Sequence, residues 1–302
     1  MRRLILGIAA VPFAACALAP QPTSSASGFA CPHAGWGRGR LDGLKADGFE
    51  IAKEAERQAS ARAVTTCLAN PDPALRDGIA FEALAHMLRA KELSDETKRA
   101  LLVDLTKRLA APDPSGFEQP FAALALSEVV RADRIEAFLS EDELVKLLVD
   151  AQHWFINVRD YRGLDGREGW RHGVAHGADL LMQLTLNPRI DAEGLQVIVS
   201  AVGVQAAPKG HAYVFGESER LARPILFVAA RGVMDDAKWT EWFKAMATPA
   251  QGLDIYGSQE GLAWKHNTEA FLRALYVDVT LGDDRGDDVM LSGLGEALRK
   301  MP

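Results

Sequence analysis

Apolar residues recur at three- and four-residue spacing along almost the whole chain, and alternating β-branched runs are scarce. That pattern restricts the chain to helices packed on helices. Ile79, Leu84, Met87 and Leu88 make one apolar stripe, and Leu101, Leu102, Leu105 and Leu109 make the next. Between them, Ser94-Asp95-Glu96-Thr97 offers an N-cap serine followed by acidic residues that favour the positive end of a helix. Ser140-Glu141-Asp142-Glu143 repeats this start signal with the Ser-x-x-Glu spacing of a capping box. The expected fold class is all-α.

Helix openings also recur at long range. Leu75-Arg76-Asp77-Gly78-Ile79-Ala80, Pro120-Phe121-Ala122-Ala123-Leu124-Ala125, Trp170-Arg171-His172-Gly173-Val174-Ala175, Glu219-Arg220-Leu221-Ala222 and Trp264-Lys265-His266 each begin a helix that a second amphipathic helix follows. The second helices are expected at 94–110, 140–157, 191–206, 235–247 and 287–300. Trp170-Arg171-His172 is echoed by Trp264-Lys265-His266 after 94 residues, or two steps of 47. Helix pairs at roughly 40–47 residues build HEAT and armadillo solenoids, where each pair buries its apolar face only by stacking on its neighbours. The expectation is a HEAT/armadillo-like array of about five to six helix pairs forming one solenoid-like domain over residues 46–302, against a non-repeating α-bundle. Pro224 falls inside one of these helices and predicts a kink or a late start there.

The N-terminus reads as an export signal over residues 1–19: Arg2 and Arg3 precede the uncharged run Leu4–Ala19. Phe13-Ala14-Ala15-Cys16 resembles a lipoprotein box, so lipidation at Cys16 is an alternative to simple cleavage. The run is too short for a permanent span, and no transmembrane segment is expected in the mature chain. Residues 20–45 are expected to form an irregular leader. Loss of Cys16 leaves Cys31 and Cys67, an even pair that favours a disulfide in an oxidising compartment, against a buried Cys67 with a loop thiol at Cys31. Periplasmic or secreted localisation follows from the signal. The formal charge of −7 becomes −9 when Arg2 and Arg3 are removed, which argues against nucleic-acid binding.

Chemistry concentrates around residues 159–183. The polar loop Arg159-Asp160-Tyr161-Arg162-Gly163-Leu164-Asp165-Gly166-Arg167-Glu168-Gly169 runs into a helix beginning near Trp170. At helical spacing His172, His176, Asp179 and Gln183 share a wedge of about 60°, opposite Val174, Leu180, Leu181 and Leu184. Gly173 and Gly177 flank the wedge and leave room for a helix or a ligand. Two histidines one turn apart, with Asp179 as a third ligand, are a candidate divalent-metal set. Glu does not follow the first histidine, so the zinc-protease pattern is missing. The competing readings are a polar ligand pocket and a hydrogen-bonded buried network. Stepping 47 residues from His172 reaches Glu219 and then His266, which predicts one groove lined by all three, with Glu217, Arg220 and Arg223 near its middle.

Asp160-Tyr161-Arg162-Gly163, Gly169-Trp170-x-His172-x-Val174-Ala175-His176-Gly177-Ala178-Asp179-Leu180-Leu181 and Glu217-x-Glu219-Arg220-Leu221 resemble the signature segments of an uncharacterised bacterial family, domain of unknown function 2785, over roughly residues 60–280. The resemblance implies an all-helical, HEAT-like fold and brings no activity, substrate or cofactor.

Two function classes stand side by side. In the first, an exported repeat protein binds a polar or anionic small molecule, or a protein partner, through Asp160, Tyr161, Arg162, Asp165, Trp170, His172, His176, Asp179, Glu217, Glu219, Arg220 and His266. In the second, a divalent metal on His172, His176 and Asp179 or Glu219 activates water in a hydrolase. The sequence offers no nucleophile elbow, phosphate loop or dinucleotide fingerprint.

Overall fold

The computed structural model describes Cys31, residues 36–283 and residues 285–302. The expected signal and Cys16 lie outside the described residues. Helices dominate: α1 (Arg38–Ala46), α2 (Glu54–Val64), α3 (Pro73–Leu75), α4 (Glu82–Arg89), α5 (Asp95–Ala110), α6 (Glu118–Ile135), α7 (Glu141–Ile156), α8 (Gly173–Leu186), α9 (Ala192–Ala206), α10 (Glu217–Ala230), α11 (Asp236–Met246), α12 (Gln259–Leu281) and α13 (Leu291–Lys300). A 3₁₀ turn, Thr65–Ala69, follows α2, and the π-helical stretch Arg76–Phe81 joins α3 to α4. Strands β1 (Leu164–Asp165) and β2 (Gly169–Trp170) form a small antiparallel hairpin with Leu164 opposite Trp170. Among the described residues, the chain is all-α apart from that hairpin. Residues 38–45, expected within an irregular leader, are helical as part of α1, which buries Leu41 and Leu44.

Local signals explain most of the starts. The Ser94 hydroxyl accepts from the Thr97 N–H, and Ser140 with Glu143 completes a capping box. Asp191, Asp235 and Ser258 cap α9, α11 and α12 in the same manner. α10 begins at Glu217 and carries Pro224 in its interior, so the late start is not seen.

Alternate helices pack in sequence: α4 on α6, α6 on α8, α8 on α10, and α10 on α12. On the other side, α2 meets α5, α5 meets α7, and α7 meets α9. A single apolar core runs through these contacts from Leu41 to Ala297. Arginines tie neighbouring helices at the ends away from the hairpin. Arg189 binds the buried Asp133 carboxylate and donates to the Leu139 carbonyl at 2.8 Å, while Arg231 donates to the carbonyls of Thr185, Asn187 and Ile190.

Cys31 and Cys67 are disulfide-bonded, with Cα atoms 4.9 Å apart. Among the described residues, no helix is long and apolar enough to cross a membrane.

Candidate functional site

The loop between α7 and α8 folds back on the N-terminal ends of α6 and α8. Arg162 and Arg171 both donate to the Ser115 carbonyl, at 3.1 and 3.0 Å, just before α6. Arg171 is buried with its guanidinium 4.1 Å from the centre of the Phe117 ring, and the fully buried Arg76 approaches the same ring at 4.2 Å. Arg76 also donates to the Glu168 carbonyl at 2.8 Å and to Asp77 at 2.7 Å, so it fixes the hairpin from beneath. Both arginines lie in the recurring helix-opening segments, but the sequence assigned neither of them a role.

His172 is the N-cap of α8 and sits in the left-handed region at φ 55°, ψ 40°. For a residue with a Cβ this conformation costs of order 1 kcal/mol and persists only where surrounding contacts hold it. Those contacts are visible. The Trp170 ring stacks on the imidazole at 4.7 Å and 23°, and the His172 N–H donates to the Arg162 carbonyl at 3.1 Å. Nε2 of His172 is buried without a hydrogen-bond partner and lies 3.7 Å from Oε1 of Glu217. Glu217 is itself buried, and its other oxygen accepts from the Phe215 N–H at 2.9 Å. Burial pushes the His172 ring below the ordinary histidine range, and the Glu217 carboxylate works against that shift.

His176 lies one turn further on, edge-on to Phe121 at 5.0 Å and 6.0 Å from His172. Burial, with the charges of His172 and Arg220 adding to it, lowers its pKa to about 3. The ring is neutral at ordinary pH. Asp179 is held by the Arg220 guanidinium, whose Nε donates to Oδ1 at 3.0 Å while Nη2 meets Oδ2. Burial raises the Asp179 carboxyl and the Arg220 bonds oppose the rise.

The remaining candidates separate. Asp160 pairs with Arg162, its Oδ1 accepting from Nε at 2.8 Å. Tyr161 stacks on His211 at 5.0 Å. Asp165 is exposed and accepts from the Arg167 and Glu168 N–H groups, so it closes the hairpin turn. Glu219 is exposed, and Nε2 of His266 contacts the Tyr213 carbonyl at 3.0 Å, beside Asn267, which holds Tyr213 and His211. No hydrogen bond, ion pair or ring contact joins His172, Glu219 and His266. The three are not paired with one another, and the acid that meets His172 is Glu217.

Among the described residues, the three-donor group with its atoms within 4.8 Å of one another is Glu50, His86 and Glu92, and His172, His176 and Asp179 do not form one. Both Asp179 oxygens face Arg220. The room beneath Gly177 is filled by protein, since a Cβ there would meet the Phe155 ring at 2.4 Å.

The three signature segments nevertheless meet. Arg162 and Gly163 bond the backbone of His172 and Arg171, His172 faces Glu217, and Asp179 holds Arg220. Gly163 lies so close under Phe215 that a Cβ would sit 2.0 Å from its ring. The family described as protein of unknown function DUF2785 matches residues 101–277. The chain belongs to this family. No curated protein and no solved structure matches it. The DUF2785 match runs from α5 into α12 and takes in His172, His176, Asp179, Glu217 and Arg220, whereas Cys31, Cys67, Glu50, His86 and Glu92 fall outside it.

A cleft of about 890 Å³ opens beside this DUF2785 site, between α5, α6 and α7. Its wall includes Leu102, Lys107, Leu147, His153 and Trp154 and reaches Asp160 and Gly173, but not the rings of His172 or His176.

Proposed function

We propose that the protein is an exported, HEAT/armadillo-like helical-repeat protein that binds a polar small molecule at the cluster of Trp170, His172 and Glu217. The observation that carries this reading is His172 itself: a left-handed residue, held by three signature segments, whose buried Nε2 lacks a partner while a carboxylate oxygen waits 3.7 Å away. A hydroxyl or amide group of a ligand supplies the donor and acceptor that this pair lacks. Arg162 and Arg220 are already neutralised by Asp160 and Asp179, which favours a polar over an anionic ligand.

The packing of alternate helices supports the repeat architecture, and the Cys31–Cys67 bridge supports an oxidising compartment. A reporter fusion after residue 45 tests export: activity of a periplasm-dependent reporter is expected, and a cytoplasmic reporter signal alone would refute it.

A second reading places the ligand in the 890 Å³ cleft, a volume within the small-molecule range. One experiment covers both. Hits from a thermal-shift screen of polar metabolites are titrated calorimetrically into wild type, H172A, E217Q and W154A. Loss of binding in H172A and E217Q with W154A unchanged supports the first reading, the reverse supports the cleft, and binding indifferent to all three sinks both.

A further inference from the structure

We propose a divalent-cation site, of the zinc class, formed by Glu50, His86 and Glu92 at the N-terminal end of the molecule, away from the DUF2785 match. The three residues come from different places: Glu50 from the loop after α1, His86 from the last turn of α4, and Glu92 from the turn between α4 and α5. Their donor atoms nonetheless lie within 4.8 Å of one another. Imidazole nitrogen and carboxylate oxygen are both zinc-ligand types, and three such donors leave the fourth position to water. At bond lengths of about 2.0–2.2 Å, zinc holds its donors roughly 3.5 Å apart, so closure asks for movement of about 1 Å.

Two further observations point to a ligand. Nε2 of His86 and Oε2 of Glu92 are both sealed from solvent and neither has a hydrogen-bond partner, although each side chain is partly exposed elsewhere. Nε2 of His86 is 3.8 Å from Oε1 of Glu50, beyond hydrogen-bond range. Arg57 is the nearby cation, with Nε 3.9 Å from Oε2 of Glu92. It does not satisfy that oxygen, because its Nε–H goes to the Glu92 carbonyl at 3.1 Å and Nη1 to the Ile51 carbonyl at 2.6 Å.

Those bonds fix the frame instead. Arg57, together with the Gln58 amide at 2.9 Å from the Glu92 carbonyl, pins the backbone beside both glutamates. On the other side, Phe49 adopts φ 67°, donates its N–H to the Leu44 carbonyl at 2.8 Å and buries its ring 6.1 Å from that of His86. The donors are therefore carried by segments that are already ordered, and an ion here clips the α1 loop to the α4–α5 turn.

The test uses full-length, untagged protein stripped with EDTA and titrated with zinc chloride by calorimetry, alongside a thermal melt with and without zinc. One zinc per chain and a raised melting temperature are expected for wild type and for the H172A/H176A double variant. Binding at least tenfold weaker, with the melting shift abolished, is expected for H86A, E92Q and E50Q. Glu50 is exposed, so E50Q decides the question if H86A does not fold. Zinc binding unchanged in E50Q, absent in wild type, or lost in H172A/H176A would overturn the site.

Discussion

His176 shows how far a single residue's surroundings can be turned into a measurement. Its pKa falls from the ordinary 6.5 to about 3 in the folded chain because the ring is buried. The unfolded chain therefore binds a proton through that interval that the folded chain refuses, and stability is complete above pH 6.5 and lost as pH falls toward 3. The expected slope is about 1.4 kcal/mol per pH unit for this one group. Urea unfolding of wild type and H176Q between pH 4 and 7 should show the wild type steeper by about one proton, and parallel slopes would contradict it. Its neighbour differs. His172 is partly exposed whereas His176 is buried, so diethyl pyrocarbonate, read by peptide mass spectrometry, should label His172 ahead of His176. At this scale the sequence revealed His172, His176 and Asp179 as neighbours, because helical spacing is a local property. It named Glu217 only as one residue of the expected groove and gave Arg76 no role, because their contacts depend on how separate helices dock.

Between elements, the α8–α10 contact turns on Asp179 and Arg220. The carboxylate is largely buried and the guanidinium about one-third exposed, so the attraction is only partly screened. R220A strands a buried carboxylate and is expected to cost about 2 kcal/mol in chemical denaturation, below the usual range for a fully buried pair. D179A with R220A removes both charges and should cost less than the two single changes added together; strict additivity would mean the clamp carries no coupling. Helix starts were legible wherever a cap announced them, as at Ser94 and Ser140, since a cap is satisfied within three residues. The α8 start was not. A left-handed N-cap at His172 has no propensity signature, and the 47-residue step from His172 reached Glu219, two residues past the Glu217 that meets it. α1 was missed because only Leu41 and Leu44 of its nine residues are buried.

For the whole molecule, the all-helical class was visible in the sequence because each helix must bury one apolar face, and the described residues share a single apolar core. The N-terminal part meets a different constraint. Cys31 is joined to Cys67 across 36 residues that contain α1 and α2, and Cys67 is buried beside Leu68 and Val64. Closing a loop of that length removes unfolded-state entropy worth about 3–4 kcal/mol on the chain-entropy account. C31S leaves the buried sulfur of Cys67 in place and so isolates the crosslink from core packing. Its urea midpoint should drop by an amount approaching that figure, and wild type in reducing agent should fall to the same midpoint. If α1 and α2 detach before the rest, the loss will appear as a first, separate transition seen by proteolysis near residues 47–53, with the α5–α12 transition unmoved. An oxidised midpoint equal to the reduced one, with no early cleavage, would show that the bridge constrains nothing the helices do not already hold.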